Sequence, residues 1–523
     1  MILYIFFPFL YVFYWKNLKV NILIIINGEA ENMSEGVKIS GVAIALLIIG
    51  IIIGAAIGYF AAPKGVPQAE YNKLKSEYDQ LKAQVQQLQQ ELEAAQAPKE
   101  ITIVAWTVGP DEPSVYRFKN LQIAADILNK MLEDVGANVR VKVDGFFWTQ
   151  SWGDYKKRFL LAMQAGEGPD IYLTGHEDVP THAEAGYIIP LDDYIEEYWD
   201  LIYEDIIPTL WDACKYKGKT WAIPQDTEAR PIYFRKDILR KLGWTEEEIN
   251  ALPEKVKKGE FTLDDLLAVA KEAKDKGLVE WGLVHRASKG WDYIQFYLAY
   301  GGRLWDPSSG KMVFTKHAWL KWAQFFEKAV KEGVVNPNSL SGDWKATYHG
   351  PFTEGKALFA SGGTWHKAEW IQKFGLTEES FKENIGFMLH PAGESGLKPV
   401  TLSHPLVYMI TSQCKYPKLA FLLITIASLP HINANHAVNS GHLAITYSEV
   451  TDSKYQKDWF LAAVAYMLEY TTFIPMHPKW GEYNDAIYRA LSAIETGAAT
   501  AEEAYKMLEE DVKALGDVVI FEE

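Results

Sequence analysis

Between Tyr216 and Leu239 the chain reads YKGKTWAIPQDTEARPIYFRKDIL, and this stretch constrains the possible folds more than any other. Lys217-Gly218-Lys219 is a polar turn leading into Thr220-Trp221-Ala222-Ile223, which has the length and composition of a strand and is stopped by Pro224. Pro231-Ile232-Tyr233-Phe234 is a second strand candidate, and Lys236-Asp237-Ile238-Leu239 opens a helix. The intervening segment, Gln225 to Arg230, reads as too polar for a core and too short for a disordered linker. Two strands joined by a charged crossover suit a hinge, and a chain of 523 residues exceeds one ordinary packing unit. Two units with this segment passing between them are expected.

The residues ahead of the crossover alternate strand and helix. Ile101 to Trp106 is a strand, followed by a Gly-Pro loop from Thr107 to Pro113 and a helix from about Tyr116 to Gly136. Val139 to Val143 is a second strand, Tyr155 to Ala165 an amphipathic helix, and Pro169 to Leu173 a third strand. This order predicts an α/β unit with a mostly parallel sheet and helices on both faces. Ligands in such folds bind beyond the carboxyl ends of the strands, which makes Trp106 to Glu112 and Thr174 to Asp178 candidate site loops.

The amino-terminal part reads differently. Residues 1–38 form an extension in which Met33 opens a compact export-like segment and is the expected start of translation. Residues 39–62 carry no charge, enough to cross a bilayer, and are expected to be a retained membrane anchor, with a cleavable signal as the alternative. Residues 68–97 place Tyr71, Leu74, Tyr78, Leu81, Val85, Leu88 and Leu92 at spacings of three and four. That is an a/d seam of about three heptads, a short coiled-coil stalk that self-associates or packs on a neighbour.

The crossover, with its aromatic-x-[IL]-P entry, polar stretch to Glu228 and Tyr-Phe-x-Lys-Asp exit, resembles the interlobe crossover of extracellular solute-binding proteins of ATP-binding-cassette importers, the maltose type in particular. Gly166-Glu167-Gly168-Pro169-Asp170, Ala183 to Asp192, Phe261 to Leu267, Trp291 to Trp305, Phe352 to Trp365, Pro417 to Ala420 and Gly497 to Tyr505 match that family's further motifs in order, over roughly residues 100–515. The resemblance implies a two-lobed periplasmic-binding-protein-like fold of type II. Lobe 1 would comprise residues 100–225 plus 388–430, and lobe 2 residues 228–387 plus 431–523. It also implies a carbohydrate ligand, permease subunits as partners, and a binding domain held outside the cell membrane.

By resemblance Trp106, Trp291 and Trp365 lie at the cleft, although most of the 18 Trp, 28 Tyr and 24 Phe are expected to be core. Glu177, Asp178, Asp226, Glu228 and Arg230 are the polar candidates, because carboxylates and guanidinium take two hydroxyls at once. His366 and His404 neighbour cleft motifs, and Tyr483 completes the candidate ligand set. Asp226 and Arg230 pairing with each other is the alternative for those two. Thr174 stands where the family often has an aromatic, which weakens a reading of maltose itself.

The formal net charge of −16 argues against nucleic acid as a partner. Cys214 and Cys414 lack metal spacing, and His431, His436 and His442 lack a zinc motif, so no metal or cofactor is expected. A glycoside hydrolase using paired carboxylates is the enzyme alternative, and a structural surface protein assembling through its stalk is the third.

Overall fold

The computed structural model describes residues 98–523, apart from Pro110, Asp111, Leu201 and Pro307, together with eight exposed helical positions between Asn72 and Gln86. The expected anchor and the seam of the expected stalk lie outside the described residues. By compactness the chain divides into residues 1–102 with 125–142, and residues 103–124 with 143–523. In the smaller unit the Asn129 side chain donates to and accepts from the backbone of Val141, at 2.7 Å each way. The larger unit holds two sheets, and residues 99–102 and 139–142 of its first two strands and 125–134 of its first helix fall in the smaller unit.

Its first sheet has five strands: β1 (Lys99–Val108), β2 (Val139–Trp148), β3 (Ile171–Gly175), β4 (Ile223–Pro224) and, after a long excursion, β9 (Leu406–Ile410), in the order β2-β1-β3-β9-β4. Its second has four: β5 (Ile232–Arg235), β6 (Trp281–Val284), β7 (Ala357–Ser361) and β8 (Ile385–Met388), in the order β8-β5-β7-β6. The expected helices are present as α1 (Tyr116–Asp134) and α2 (Trp152–Ala165), the latter capped by Ser151 and closed by Gly166 in the left-handed region. Helix α3 (Leu263–Asp275) begins with the Thr262–Asp265 capping box that its sequence announces.

Both sheets are mixed: the expected parallel run is broken in each by one reversed strand, β9 in the first and β5 in the second. Strand β1 runs parallel to β3, but β9 is antiparallel to β3 and to β4. The register explains this: Leu406 opens β9 opposite Gly175, the last residue of β3. A strand returning from the second sheet must enter at the edge where the outgoing strands end, and so runs against them. The second sheet repeats the arrangement, with β5 starting at Ile232 opposite Ser361 and Met388, the last residues of β7 and β8.

The expected strand Thr220–Ile223 is split. Lys219–Thr220 folds back on Lys215–Tyr216, whereas Ile223–Pro224 joins β9 at the sheet edge. Positive φ at both Lys217 (48°) and Gly218 (73°) turns this small hairpin in the sense that suits twisted strands. An edge position tolerates Pro224, which has no N–H to donate.

The carboxyl-terminal helices α8 (Trp480–Glu495) and α9 (Ala501–Lys513) pack with α4 (Lys316–Lys331), and all three feed the hydrophobic core under the second sheet. Between them in sequence come α5 (His366–Lys373), α6 (Pro417–Ala427) and α7 (Pro430–Ser440). Helix α6 is buried from Leu419 to Ala427. No single helix among the described residues is long and apolar enough to cross a membrane.

Next to α7, Glu449 is fully buried with no cation beside it among the described residues: Asn433 Nδ2 and the Ile445 N–H donate to its Oε2 at 3.0 and 3.1 Å, while Oε1 has no partner there. Burial pushes its carboxyl up to about 8. Between the unfolded value and about 8 the native state therefore holds a proton that the unfolded chain has lost, so this group's contribution is complete at acid pH and declines as pH rises. Glu449→Gln mimics the protonated form. Relative to this variant, the wild type is expected to lose about 2 kcal/mol between pH 6.5 and 8, the linkage slope for one proton, measured by urea denaturation at each pH.

Candidate functional site at the crossover

The strand directions bring two loop edges together. The carboxyl ends of β1, β3 and β4 open toward the same side as the start of β9, and the ends of β6, β7 and β8 toward the start of β5. Residues 225–231 run from one edge to the other beside the returning residues 401–405. Thr227 Oγ1 lies 2.6 Å from Ser403 Oγ, and the Arg230 N–H donates to Thr401 Oγ1 at 2.8 Å. A third strand of chain joins them where the Leu443 N–H donates to the Thr227 carbonyl at 2.7 Å.

The crossover itself is buried, contrary to its polar sequence: Asp226, Glu228 and Arg230 expose 0%, 2% and 3% of their surface. What reconciles charge with burial is that each ion is paired. Arg230 sends Nη2 to Glu228 Oε1 and Nη1 to Asp292 Oδ1, both at 2.8 Å, and lies 4.9 Å over the ring of Trp365. Asp292 Oδ2 takes Arg286 Nη1 at 3.0 Å. Burial works to raise the Asp292 carboxyl, but the two guanidinium groups outweigh it and hold the group well below the usual carboxylate range. Glu228 goes the other way, because burial prevails over Arg230 and His404. Its Oε1 also accepts the His404 N–H at 2.8 Å, whereas Glu228 Oε2 and Arg230 Nε are buried without a partner.

On the side of the first sheet, His404 Nε2 lies 2.7 Å from Glu177 Oε2, and Lys156 Nζ lies 2.8 Å from Glu177 Oε1 and 2.7 Å from Asp178 Oδ2. Against its burial, His404 and Lys156 hold the Glu177 carboxyl low. The Thr174 hydroxyl donates to Asp178 at 2.7 Å, so the position that an aromatic often fills is here a polar brace. Aromatic rings line up around His404: Trp152 at 6.4 Å, Trp291 at 5.8 Å, and Trp480 stacked 5.9 Å beyond Trp291. Trp291 and Trp365 are half-buried, and Trp480 Nε1 is buried without a partner.

Four sequence candidates stand apart from this group. Asp226 does not pair with Arg230: it accepts Arg117 Nη2 at 2.7 Å, His436 Nε2 at 2.9 Å and the Leu406 N–H at 3.2 Å, a fully engaged buried anchor. His366 is buried, with Nδ1 accepting from the Gly363 N–H at 3.2 Å and 2.9 Å from the Tyr348 hydroxyl. Tyr483 is core rather than cleft. It packs with Phe314 and Trp319, accepts Trp319 Nε1 at 3.0 Å and donates to the Val313 carbonyl at 3.1 Å, because its helix turns that face toward α4. Trp106 is 8% exposed in a separate aromatic group, 4.9 Å from Phe146 with Arg158 5.4 Å over it.

Sequence reasoning missed Asp292, Arg286, Arg117, Lys156, Trp152 and Trp480. Asp292 follows Trp291 directly, and Trp152 opens a helix, so proximity to a cleft aromatic or a helix start was the only local signal. A buried pair at 2.6 Å, His285 Nε2 with Glu495 Oε1, ties the Arg286–Asp292 loop to α8.

Three groupings of histidine with carboxylate are close enough for a metal ion among the described residues, and each is chemically occupied. Lys156 sits on Glu177 in the first, and Arg117 on both Asp226 and His442 Nε2 in the second. In the third, His349 and His366 both accept N–H bonds at Nδ1, from Trp370 and Gly363. A neutral imidazole so held carries its proton at Nε2 and offers no lone pair there, the inverse of the usual ligand histidine.

Solved structures share this architecture. The GacH receptor of Streptomyces glaucescens, determined unliganded and with acarbose, superposes with a TM-score of 0.64 at 17% identity, covering 80% of this chain and 98% of its own. Maltose-bound MalE3 of T. maritima gives 0.62 at 18%, covering 79% and 99%. These likenesses establish the two-lobed periplasmic-binding-protein-like α/β fold. Among curated relatives, the maltotriose-binding protein of Pyrococcus abyssi is 21% identical over 352 residues, 65% of this chain and 69% of that protein. The mannitol-binding protein of Pseudomonas aeruginosa is 26% identical over 207 residues, 39% and 42% of the two chains. Residues 123–430, more than half of the sequence, match the family of bacterial extracellular solute-binding proteins, and the chain belongs to that family.

Proposed function

We propose that the chain captures an oligosaccharide between its two lobes and delivers it to the permease subunits of an ATP-binding-cassette importer. The observation that carries this reading is the unfinished hydrogen bonding at the crossover: Glu228 Oε2 and Arg230 Nε are buried and unpartnered beside the half-buried rings of Trp291 and Trp365. A buried polar atom without a partner is costly. A sugar hydroxyl answers both needs, donating to the carboxylate and accepting from the guanidinium, while aromatic faces receive the C–H face of the ring. The name of the maltotriose-binding relative supports this class of ligand, and that of the mannitol-binding relative supports a polyhydroxylated ligand more broadly.

The lobes are proposed as residues 100–225 plus 406–440 and residues 232–400 plus 447–523, in place of the boundaries at 388 and 430 expected from the resemblance, with residues 39–62 as a membrane tether and 68–97 as a coiled-coil stalk able to self-associate. Groups 2–3% exposed admit a ligand only if the lobes part. Residues 225–231, 401–405 and 441–446 are the connections that bend in that motion. Asp226 serves the connection itself; Glu228, Arg230, Trp291, Trp365 and His404 meet the ligand, with Glu177 and Asp178 steadying His404 from below.

A thermal-shift screen with oligosaccharides identifies the ligand, since binding raises the melting temperature by mass action. Glu228→Gln is then expected to weaken that ligand by about 1.5–3 kcal/mol in calorimetry, the scale of a hydrogen bond to a charged group. The amide keeps the Arg230 and His404 contacts through its oxygen and places a donor where Oε2 must accept. Unchanged affinity with altered melting would make Glu228 a structural residue only. The ligand is recovered intact after incubation, whereas a hydrolase returns shorter products.

A further inference from the structure

Away from the crossover, the open edge of the second sheet carries features that sugar capture does not use. Strand β8 is outermost there, and Phe387 and Gly386 floor a groove of about 420 Å³. Trp459 and Tyr466 wall it, and the Trp459 ring is fixed by its N–H bond to Glu378. Three lysines rim it. Lys382 Nζ lies 5.5 Å from the centre of the Trp459 ring, Lys257 Nζ 5.1 Å from that of Tyr466, and Lys236 Nζ donates to the Lys382 carbonyl at 3.0 Å.

None of these lysines forms an ion pair with a carboxylate among the described residues, and Glu254 is the acid of the lining. In a chain of net charge −16 a groove lined by three lysines against one acid is unusual. Burial, with Arg240 and Lys382 nearby, outweighs the carboxylate of Glu246 and pushes the Lys236 ammonium below its ordinary value. A volume of this size suits a small organic molecule.

We propose that this groove is a second ligand site, for a small organic anion with a flat ring body: the ring rests among Phe387, Trp459 and Tyr466, and the anionic group is met by Lys236, Lys257 and Lys382. Aromatic walls supply apolar contact, and the ammonium groups supply the charge that selects an anion over its neutral counterpart.

Naphthalene-2-sulfonate and the neutral 2-naphthol are the probes, titrated into the full-length protein by calorimetry. The sulfonate is expected to bind saturably and to lose about tenfold or more in affinity in the double variant Lys257→Glu/Lys382→Glu. Both side chains are exposed, so the melting temperature should hold, and 2-naphthol should bind more weakly and respond little to the reversal. Trp459→Leu, with Lys236 and its neighbours intact, should weaken both probes. No saturable sulfonate binding at millimolar concentration, equal binding of the neutral probe, or indifference to the charge reversal would each overturn the proposal.

Discussion

Asp226→Ala is expected to destabilise the folded protein by about 3–5 kcal/mol, the cost of breaking a buried ion pair by removing one partner. The effect comes from what is left behind. Arg117, 2% exposed, would keep its bond to the Val108 carbonyl at 2.9 Å and its contact with His442, neither of which carries negative charge. The variant also strips the Leu406 N–H of its acceptor at the point where β9 enters the sheet. Burial acts to raise the Asp226 carboxyl, but Arg117 and the two histidines hold it far below its ordinary value. Its contribution is therefore present above the unfolded value of about 3.9 and is lost only as pH falls well below it, so the deficit should be constant from pH 5 to 8. Urea denaturation across that range measures this. Asp226→Asn, which retains a hydrogen-bond acceptor, should fall between the alanine variant and the wild type, and a deficit under 1 kcal/mol for alanine would mean that water or a rearranged neighbour replaces the carboxylate.

Arg230→Met is expected to reduce ligand affinity about a thousandfold, roughly 4 kcal/mol. Arg230 is the cation shared by Glu228 and Asp292, and it lies over Trp365. Without it Asp292 still has Arg286, but Glu228 keeps only the His404 N–H, and a carboxyl already raised by burial would be raised further. The ligand then loses a charged acceptor and a donor together. Arg230→Lys is the informative control, because a point charge reaches one carboxylate where the planar fork reaches two, and its affinity should be intermediate. Calorimetry with the ligand from the screen, beside urea denaturation of the same variants, separates the two roles: a fall in stability with unaltered affinity would confine this group to holding the lobes together.

Much of the fold was legible because its signals are local. Strand runs at residues 101–106, 139–143 and 169–173, the Thr262–Asp265 cap, the turn at Gly218 and the crossover all depend on residues within a few positions of one another, where steric preference and nearest-neighbour hydrogen bonds act. Glu228, Arg230, Trp291, Trp365 and His404 were named from motifs, and they do gather in one place. Strand direction was not legible, since β9 runs against β3 only because its chain returns from another sheet. The partners were not legible either: Asp226 could not be told from a ligand contact, nor Tyr483 from a cleft residue, until Arg117 and Trp319 arrived from 109 and 164 positions away. By itself the sequence determined the elements, the turn chemistry and the segment that crosses between lobes. Only the tertiary structure decided which charges are neutralised and which buried atoms stay unpartnered, because the cost of burying a charge depends on what the topology brings beside it and not on its neighbours along the chain.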